Sequence, residues 1–67
     1  MKLQINLHGS WRDVCPFEPE RLDMVQDAAS FLSRAAGGLR LRIDGSEGAP
    51  LYLNNDRGVF EPLNPGA

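Results

Sequence analysis

His8 and Cys15 are the side chains of this sequence best suited to catalytic chemistry, and each is the only residue of its type. Histidine changes charge near neutral pH, and a thiol beside it can act as a nucleophile. The sequence places the two residues on opposite strands of one hairpin, two cross-strand rows and about 13 Å apart. That separation is too long for a hydrogen bond, so we expect the protein not to be an enzyme.

Three short segments have residue types that metals or phosphates use. His8 and Asp13 lie close on the hairpin, but two ligands do not make a zinc site. Asn54–Gly58 offers successive oxygens but lacks the spaced carboxylates and the final glutamate of a calcium loop. Gly45–Gly48 has no lysine and no following helix, so it does not fit a phosphate loop. Surface and turn roles explain all three better, and we predict neither a metal nor a cofactor.

The remaining signal is a set of aromatic and arginine side chains. Trp, Tyr and Arg are enriched where proteins bind one another. Strand alternation places Trp11, Arg40, Arg42 and Tyr52 on one face of a sheet, away from the helix, and we call these four residues the Trp–Arg face. We predict that they contact a binding partner. The alternative is that Trp11 belongs to the core and Tyr52 is an isolated surface residue.

The elements that position this face begin with two alternating runs. In Leu39–Asp44 the apolar residues fall on one side and the polar residues on the other, which is the period of a half-buried strand. Leu51–Asn54 repeats the pattern, and Val59–Glu61 follows as a short third strand. Turn residues separate the three runs. We therefore predict an antiparallel meander.

An N-terminal hairpin precedes the helix. Met1–His8 alternates cleanly, and Gly9-Ser10 suits a two-residue type II′ turn that pairs His8 with Trp11. This register buries the apolar row Leu3, Ile5, Leu7 and Val14. A bulge at the turn would instead bury Trp11, Cys15 and Phe17, but it would also bury Asp13.

The segment from Glu18 to Gly38 predicts one helix. Pro19 suits the first helical position and Gly37-Gly38 the end. Its apolar stripe contains Leu22, Val25, Ala29, Leu32 and Ala36, widened by Met24, Ala28, Phe31 and Ala35. The opposite face contains Asp23, Asp27, Ser30 and Arg34. The fold class we predict is α+β, a single domain over residues 1–67 with one helix packed on four or five antiparallel strands (ββαβββ) and an irregular tail from about residue 62.

Composition limits the function classes. The 67 residues carry a net charge of -2, which argues weakly against a dedicated nucleic-acid binder. A single cysteine excludes an internal disulfide. A fold of this size must then rely on packing or on forming a homodimer. No apolar run approaches the roughly 20 residues of a membrane span, and the alternating N-terminus is unlike a signal peptide. We therefore expect a cytoplasmic protein.

The order of elements, with Arg21–Ala29 as helix and then Leu39–Ile43, Leu51–Leu53 and Val59-Phe60 as strands, resembles that of small phage-encoded anti-CRISPR proteins. The resemblance covers most of the chain but rests on size and element order, and it transfers no residue roles. It implies a non-catalytic protein that blocks a CRISPR surveillance complex or nuclease. We therefore predict a stoichiometric inhibitor or regulator that binds protein. The alternative is a nucleic-acid-binding regulatory module that uses the same face.

Overall fold

The structure, a computed structural model, describes residues 1–45 and 50–62. One helix packs against a five-stranded antiparallel sheet of order β2-β1-β3-β4-β5, so the α+β class and the ββαβββ order are confirmed. The elements are β1 Lys2–Leu7, β2 Ser10–Pro16, a 3₁₀ turn Pro19–Arg21, α1 Leu22–Ala35, β3 Leu41–Asp44, β4 Leu51–Asn54 and β5 Val59–Pro62. The first strand thus pairs with β3, the outer strand of the C-terminal meander, and places β2 at one edge of the sheet.

The hydrophobic core lies between α1 and the sheet. Its buried apolar side chains are Leu3, Ala29, Leu41 and Ile43. Around them pack half-buried side chains from β1, β4 and β5, from α1 and from the two connecting segments that flank the helix: Ile5, Phe17, Leu22, Val25, Leu39, Leu51, Leu53 and Phe60. The alternation in β1, β3 and β4 determines which side chains point inward, and the polar residues between them cover the other face.

The N-terminal hairpin turns one residue earlier than the sequence predicts. The turn residues are His8 and Gly9, with φ of 55° and 86°, and Leu7 pairs with Ser10. Positive φ at both central positions is the type I′ conformation, whose twist matches that of the flanking strands. The Asn6 side chain accepts a hydrogen bond from the Gly9 N–H at 3.1 Å and supports the turn. The predicted type II′ turn at Gly9-Ser10 is therefore wrong.

This register changes which side chains are covered. Trp11 lies opposite Asn6 rather than His8, and an irregularity near Val14 brings Cys15 opposite Leu3. Leu7 and Val14, which we expected in the buried row, are each 47% exposed. The alternative register is also wrong for two of its three residues, because Cys15 is exposed and Trp11 lies on the face away from α1. Its third residue, Phe17, does pack against the core.

The helix contacts the sheet through a narrower stripe than the sequence predicts. Leu22, Val25 and Ala29 face the core as expected. Met24 and Phe31, which were expected to widen the stripe, are 63% and 67% exposed. Leu32 of the predicted stripe itself is 49% exposed and Ala36 is exposed as well, so the prediction is wrong at all four positions.

Two serines account for this orientation of the helix. Ser30 donates a hydrogen bond to the Gly58 carbonyl at 2.9 Å, so it does not belong to the solvent face as predicted. Ser33 is buried, accepts from the Leu39 N–H at 2.8 Å and donates to Asn55 Oδ1 at 2.5 Å. These bonds bring one polar side of α1 to the sheet and leave an apolar side outward.

The remaining boundaries differ from the prediction in small ways. The predicted helix begins with the 3₁₀ turn Pro19–Arg21, and β3 starts at Leu41 rather than Leu39. The Leu39 N–H donates a hydrogen bond to the Ser33 hydroxyl instead of to a neighbouring strand. Most of the predicted 45–48 turn, and the tail beyond residue 62, lie outside the described residues. Within the ranges described, no helix combines the length and the apolarity needed to cross a membrane.

Candidate binding face

A continuous polar row crosses the sheet on the side opposite α1. Strand pairing aligns one residue from each strand, in the order Asp13, Gln4, Arg42, Tyr52 and Glu61. Directly paired residues on neighbouring strands have their side chains close enough to interact. The row therefore brings Arg42 and Tyr52, from separate strands, to the centre of the sheet.

Hydrogen bonds within this row hold Arg42 in place. Gln4, only 7% exposed, accepts from Arg42 Nε at 2.7 Å and donates through Nε2 to Asp13 Oδ1 at 2.7 Å. Lys2 Nζ lies 3.6 Å from the same Asp13 oxygen. The hydrogen bond from Gln4, and then the positive charge of Lys2, keep the pKa of Asp13 below its ordinary value.

Two aromatic rings complete the centre of the face. The guanidinium carbon of Arg42 lies 4.3 Å from the Trp11 ring centroid, a cation–π contact. The Trp11 and Tyr52 centroids are 6.0 Å apart with their planes at 67°, an edge-to-face arrangement. The structure thus brings together Trp11, Arg42 and Tyr52, which come from three different strands.

Arg40 borders the same region but does not join the stack. It is exposed, and its carbonyl accepts a hydrogen bond from the Asn6 N–H at 2.9 Å just before β3 begins. Beside the aromatic rings lies a shallow cavity of about 300 Å³, lined by Trp11, Arg40, Leu41, Tyr52, Leu53 and Asn55. The cavity connects Arg40 to the aromatic pair. Arg42 does not line it but adjoins it through its contact with Trp11.

Sequence reasoning missed Gln4 and Asn55. The alternation in β1 places Gln4 on the polar face, but its pairing with Arg42 depends on β1 lying beside β3, which no local pattern reveals. Asn55 was interpreted as a turn residue. Its amide also donates to the Leu39 carbonyl at 3.0 Å, which fixes the cavity wall.

The structure keeps the candidate catalytic residues apart. His8 lies in the hairpin turn, whereas Cys15 pairs with Leu3 near the other end of β2. In the part of the chain that the structure describes, no group of three or more His, Cys, Asp or Glu side chains could hold a metal ion. Asn54 Oδ1 accepts from the Asp56 N–H at 3.0 Å, which is a turn interaction.

Comparison with protein-family models, with curated proteins and with solved structures gives no match for this chain in any of the three.

Proposed function

We propose that this protein is a non-catalytic binding protein that docks onto a protein partner through the Trp–Arg face and inhibits or regulates it. One observation carries the proposal: Arg42 is held against Trp11 by its hydrogen bond to a buried glutamine. An arginine that is already ordered loses little entropy when it binds. Such a group is suited to recognition rather than to simple solvation of the surface.

The chemistry of the site favours an acidic side chain flanked by an apolar one. Arg42 uses Nε for Gln4, and no ion-pair partner for it is found among the described residues. Its terminal nitrogens can therefore bind a carboxylate, the geometry for which a guanidinium is suited. The cavity beside Trp11 and Tyr52 can take an adjoining apolar side chain, since buried aromatic anchors dominate protein interfaces.

The charge around the site favours protein over nucleic acid. Asp13 and Glu61 end the row that contains Arg42, and the whole chain carries a net charge of -2. A phosphate backbone would approach these carboxylates unfavourably, whereas a protein can offer one acidic group to Arg42 and basic groups to the rim. The resemblance to anti-CRISPR proteins supplies a partner class, a CRISPR surveillance complex or nuclease in the bacterial cytoplasm.

A comparative pull-down tests the proposal. Tagged protein is incubated with bacterial lysate treated with nuclease, beside the Arg40→Ala/Arg42→Ala variant and the charge-matched control Arg12→Ala/Arg21→Ala, which removes two exposed arginines outside the face. We expect one stoichiometric protein complex with the wild type and the control, and none with the first variant. Equal recovery by all three proteins would contradict a role for the face.

Titration calorimetry with the purified partner separates contact from positioning. Arg42→Ala should weaken binding at least ~10-fold, because truncating a hot-spot residue, a class in which arginine is enriched, costs about 2 kcal/mol or more. Arg42→Lys should not restore it, since lysine lacks the planar fork. Gln4→Met, which releases Arg42 without removing it, should weaken binding less than Arg42→Ala. Full affinity in Arg42→Lys would argue against recognition of a carboxylate by the fork.

The presence of two aromatic and two arginine side chains on an open sheet face favours nucleic acid as the second candidate, because bases stack on such surfaces. The salt dependence of binding distinguishes the two candidate functions. Phosphate contacts release counterions, so affinity for an oligonucleotide would fall steeply with salt concentration. Binding to a single-stranded oligonucleotide with that steep dependence, and loss of all partners after nuclease treatment, would replace our proposal with the second candidate.

A further inference from the structure

The outer face of α1 exposes an apolar seam. Met24 and Phe31 are 63% and 67% exposed. Ala28, which lies between them, and Ala35, one turn after Phe31, are exposed as well. Steps of four, three and four residues place these side chains in one row along a helix, the spacing of a coiled-coil seam. The helix therefore has a second apolar side that the fold of one chain does not cover.

The order of sizes along this seam is self-complementary. When two copies of the helix lie antiparallel about a two-fold axis, Phe31 of each copy faces Ala28 of the other, and Met24 faces Ala35. Each large side chain then meets a small one, which lets helices approach to about 8–10 Å. In a two-fold interface the same surface patch of both copies must be complementary to itself, and this seam meets that condition.

Charge agrees with the same arrangement. Asp27 and Arg34 flank the seam on one side, and both are exposed. In the antiparallel pair Asp27 of one copy lies beside Arg34 of the other, so two opposite-charge pairs form across the two-fold axis. Within one chain the guanidinium carbon of Arg34 lies 5.9 Å from the Phe31 ring centroid. In the ranges described, neither Asp27 nor Arg34 forms an ion pair within the chain.

We infer that the protein forms a homodimer through this seam, with the two α1 helices antiparallel. A standard interface buries roughly 800 Å² per partner, about one sixth of the 4899 Å² that the chain exposes. A helix about 21 Å long provides part of that area, and Leu32, 49% exposed beside the seam, adds to it. We therefore expect a small interface and a reversible dimer.

Sedimentation equilibrium from low to high micromolar concentration tests the dimer. We expect a monomer–dimer equilibrium for the wild type and a monomer for Phe31→Glu. Val59→Glu is the control, because Val59 is an exposed apolar residue of β5, away from the seam, and it should behave as the wild type. A wild type that stays monomeric throughout, or a folded Phe31→Glu variant that still dimerises, would overturn the inference.

Charge exchange tests the antiparallel arrangement without changing an apolar residue. Asp27→Arg alone places arginine beside Arg34 of the other copy, and Arg34→Asp alone places aspartate beside Asp27, so each variant should dimerise more weakly than the wild type. Mixing the two variants should give a heterodimer, because both flanking pairs again have opposite charges. Failure of the mixture to associate more tightly than either variant alone would overturn this arrangement.

Discussion

At the scale of single residues, Gln4 has the largest influence on the candidate site. It is buried, and its one amide group serves two partners, accepting from Arg42 and donating to Asp13. A buried amide that makes both bonds avoids the cost of an unsatisfied polar group. It also links the exposed Asp13 and Lys2 pair at the sheet edge to the arginine that we propose contacts the partner.

Asp13 makes this link depend on pH. Its pKa is lowered from the ordinary 3.8, first by the hydrogen bond from Gln4 and then by Lys2. A carboxyl whose pKa is lower in the folded state stabilises the fold above its unfolded pKa, and loses that effect as pH falls through the folded pKa. We expect the wild type to resist urea slightly better than Asp13→Asn at neutral pH, and the difference to vanish in acid below pH 3.8.

Urea midpoints of the two proteins, measured at neutral and at acid pH, check this prediction. The effect is small because Asp13 is exposed and solvent screens its charge. A difference between wild type and Asp13→Asn that persists in strong acid would mean that shape, not charge, determines the contribution of Asp13.

At the scale of elements, the sequence predicted the fold class, the element order and the meander, because alternation and turn residues are local signals. It predicted the polar faces of β1, β3 and β4 for the same reason. The hairpin register and the orientation of α1 were predicted wrongly. The register depends on a positive φ at His8, which a non-glycine residue adopts only rarely, and the helix orientation depends on the contacts of Ser30 and Ser33 with distant segments.

The strained turn gives a prediction about the hairpin. His8 adopts φ of 55° and is exposed, so its side chain contributes little to packing. His8→Asn should stabilise the protein by a few tenths of a kcal/mol to ~1 kcal/mol, because asparagine tolerates this conformation and Asn-Gly is the preferred type I′ pair. His8→Val should destabilise it by about 1 kcal/mol or more, since a branched side chain there is an outlier.

Thermal unfolding of both variants, followed by circular dichroism, checks the order of stability Asn above His above Val. Valine at exposed Arg12, a strand position of β2, is the control, because branched residues fit strands well. Equal destabilisation at both positions would argue that the left-handed conformation of His8 is not what limits this turn.

Ser33 gives the second prediction at this scale. It is 1% exposed, and its hydroxyl joins the helix to Leu39 and Asn55. Ser33→Ala should lower the free energy of unfolding by about 1–3 kcal/mol, because the partly buried Leu39 N–H loses its hydrogen-bond acceptor. Ser30→Ala is the comparison and should cost less, since Ser30 is only half-buried and its hydroxyl makes a single hydrogen bond, to the Gly58 carbonyl. Urea unfolding measures both, and a smaller loss for Ser33→Ala than for Ser30→Ala would contradict this account.

At the scale of the whole molecule, the helix seam and the Trp–Arg face lie on opposite sides of the sheet. A dimer formed through α1 would therefore point its two Trp–Arg faces away from each other. Such a dimer can engage two copies of a partner, or two sites on one large assembly, and linked sites of this kind bind far more tightly than one alone. The spacing between the sites is set by two sheets and two helices rather than by a flexible linker.

Self-association should also appear in the stability of the whole chain. Among the described residues, four buried apolar side chains make a small core, and small domains bury too little surface to be very stable. Association of folded chains stabilises the folded state by mass action, so the melting temperature of the wild type should rise with protein concentration. The monomeric variant Phe31→Glu should melt at one temperature at all concentrations. Calorimetric scans of both proteins over a wide concentration range measure this, and a wild-type melting temperature independent of concentration would mean that the fold is sustained by one chain alone.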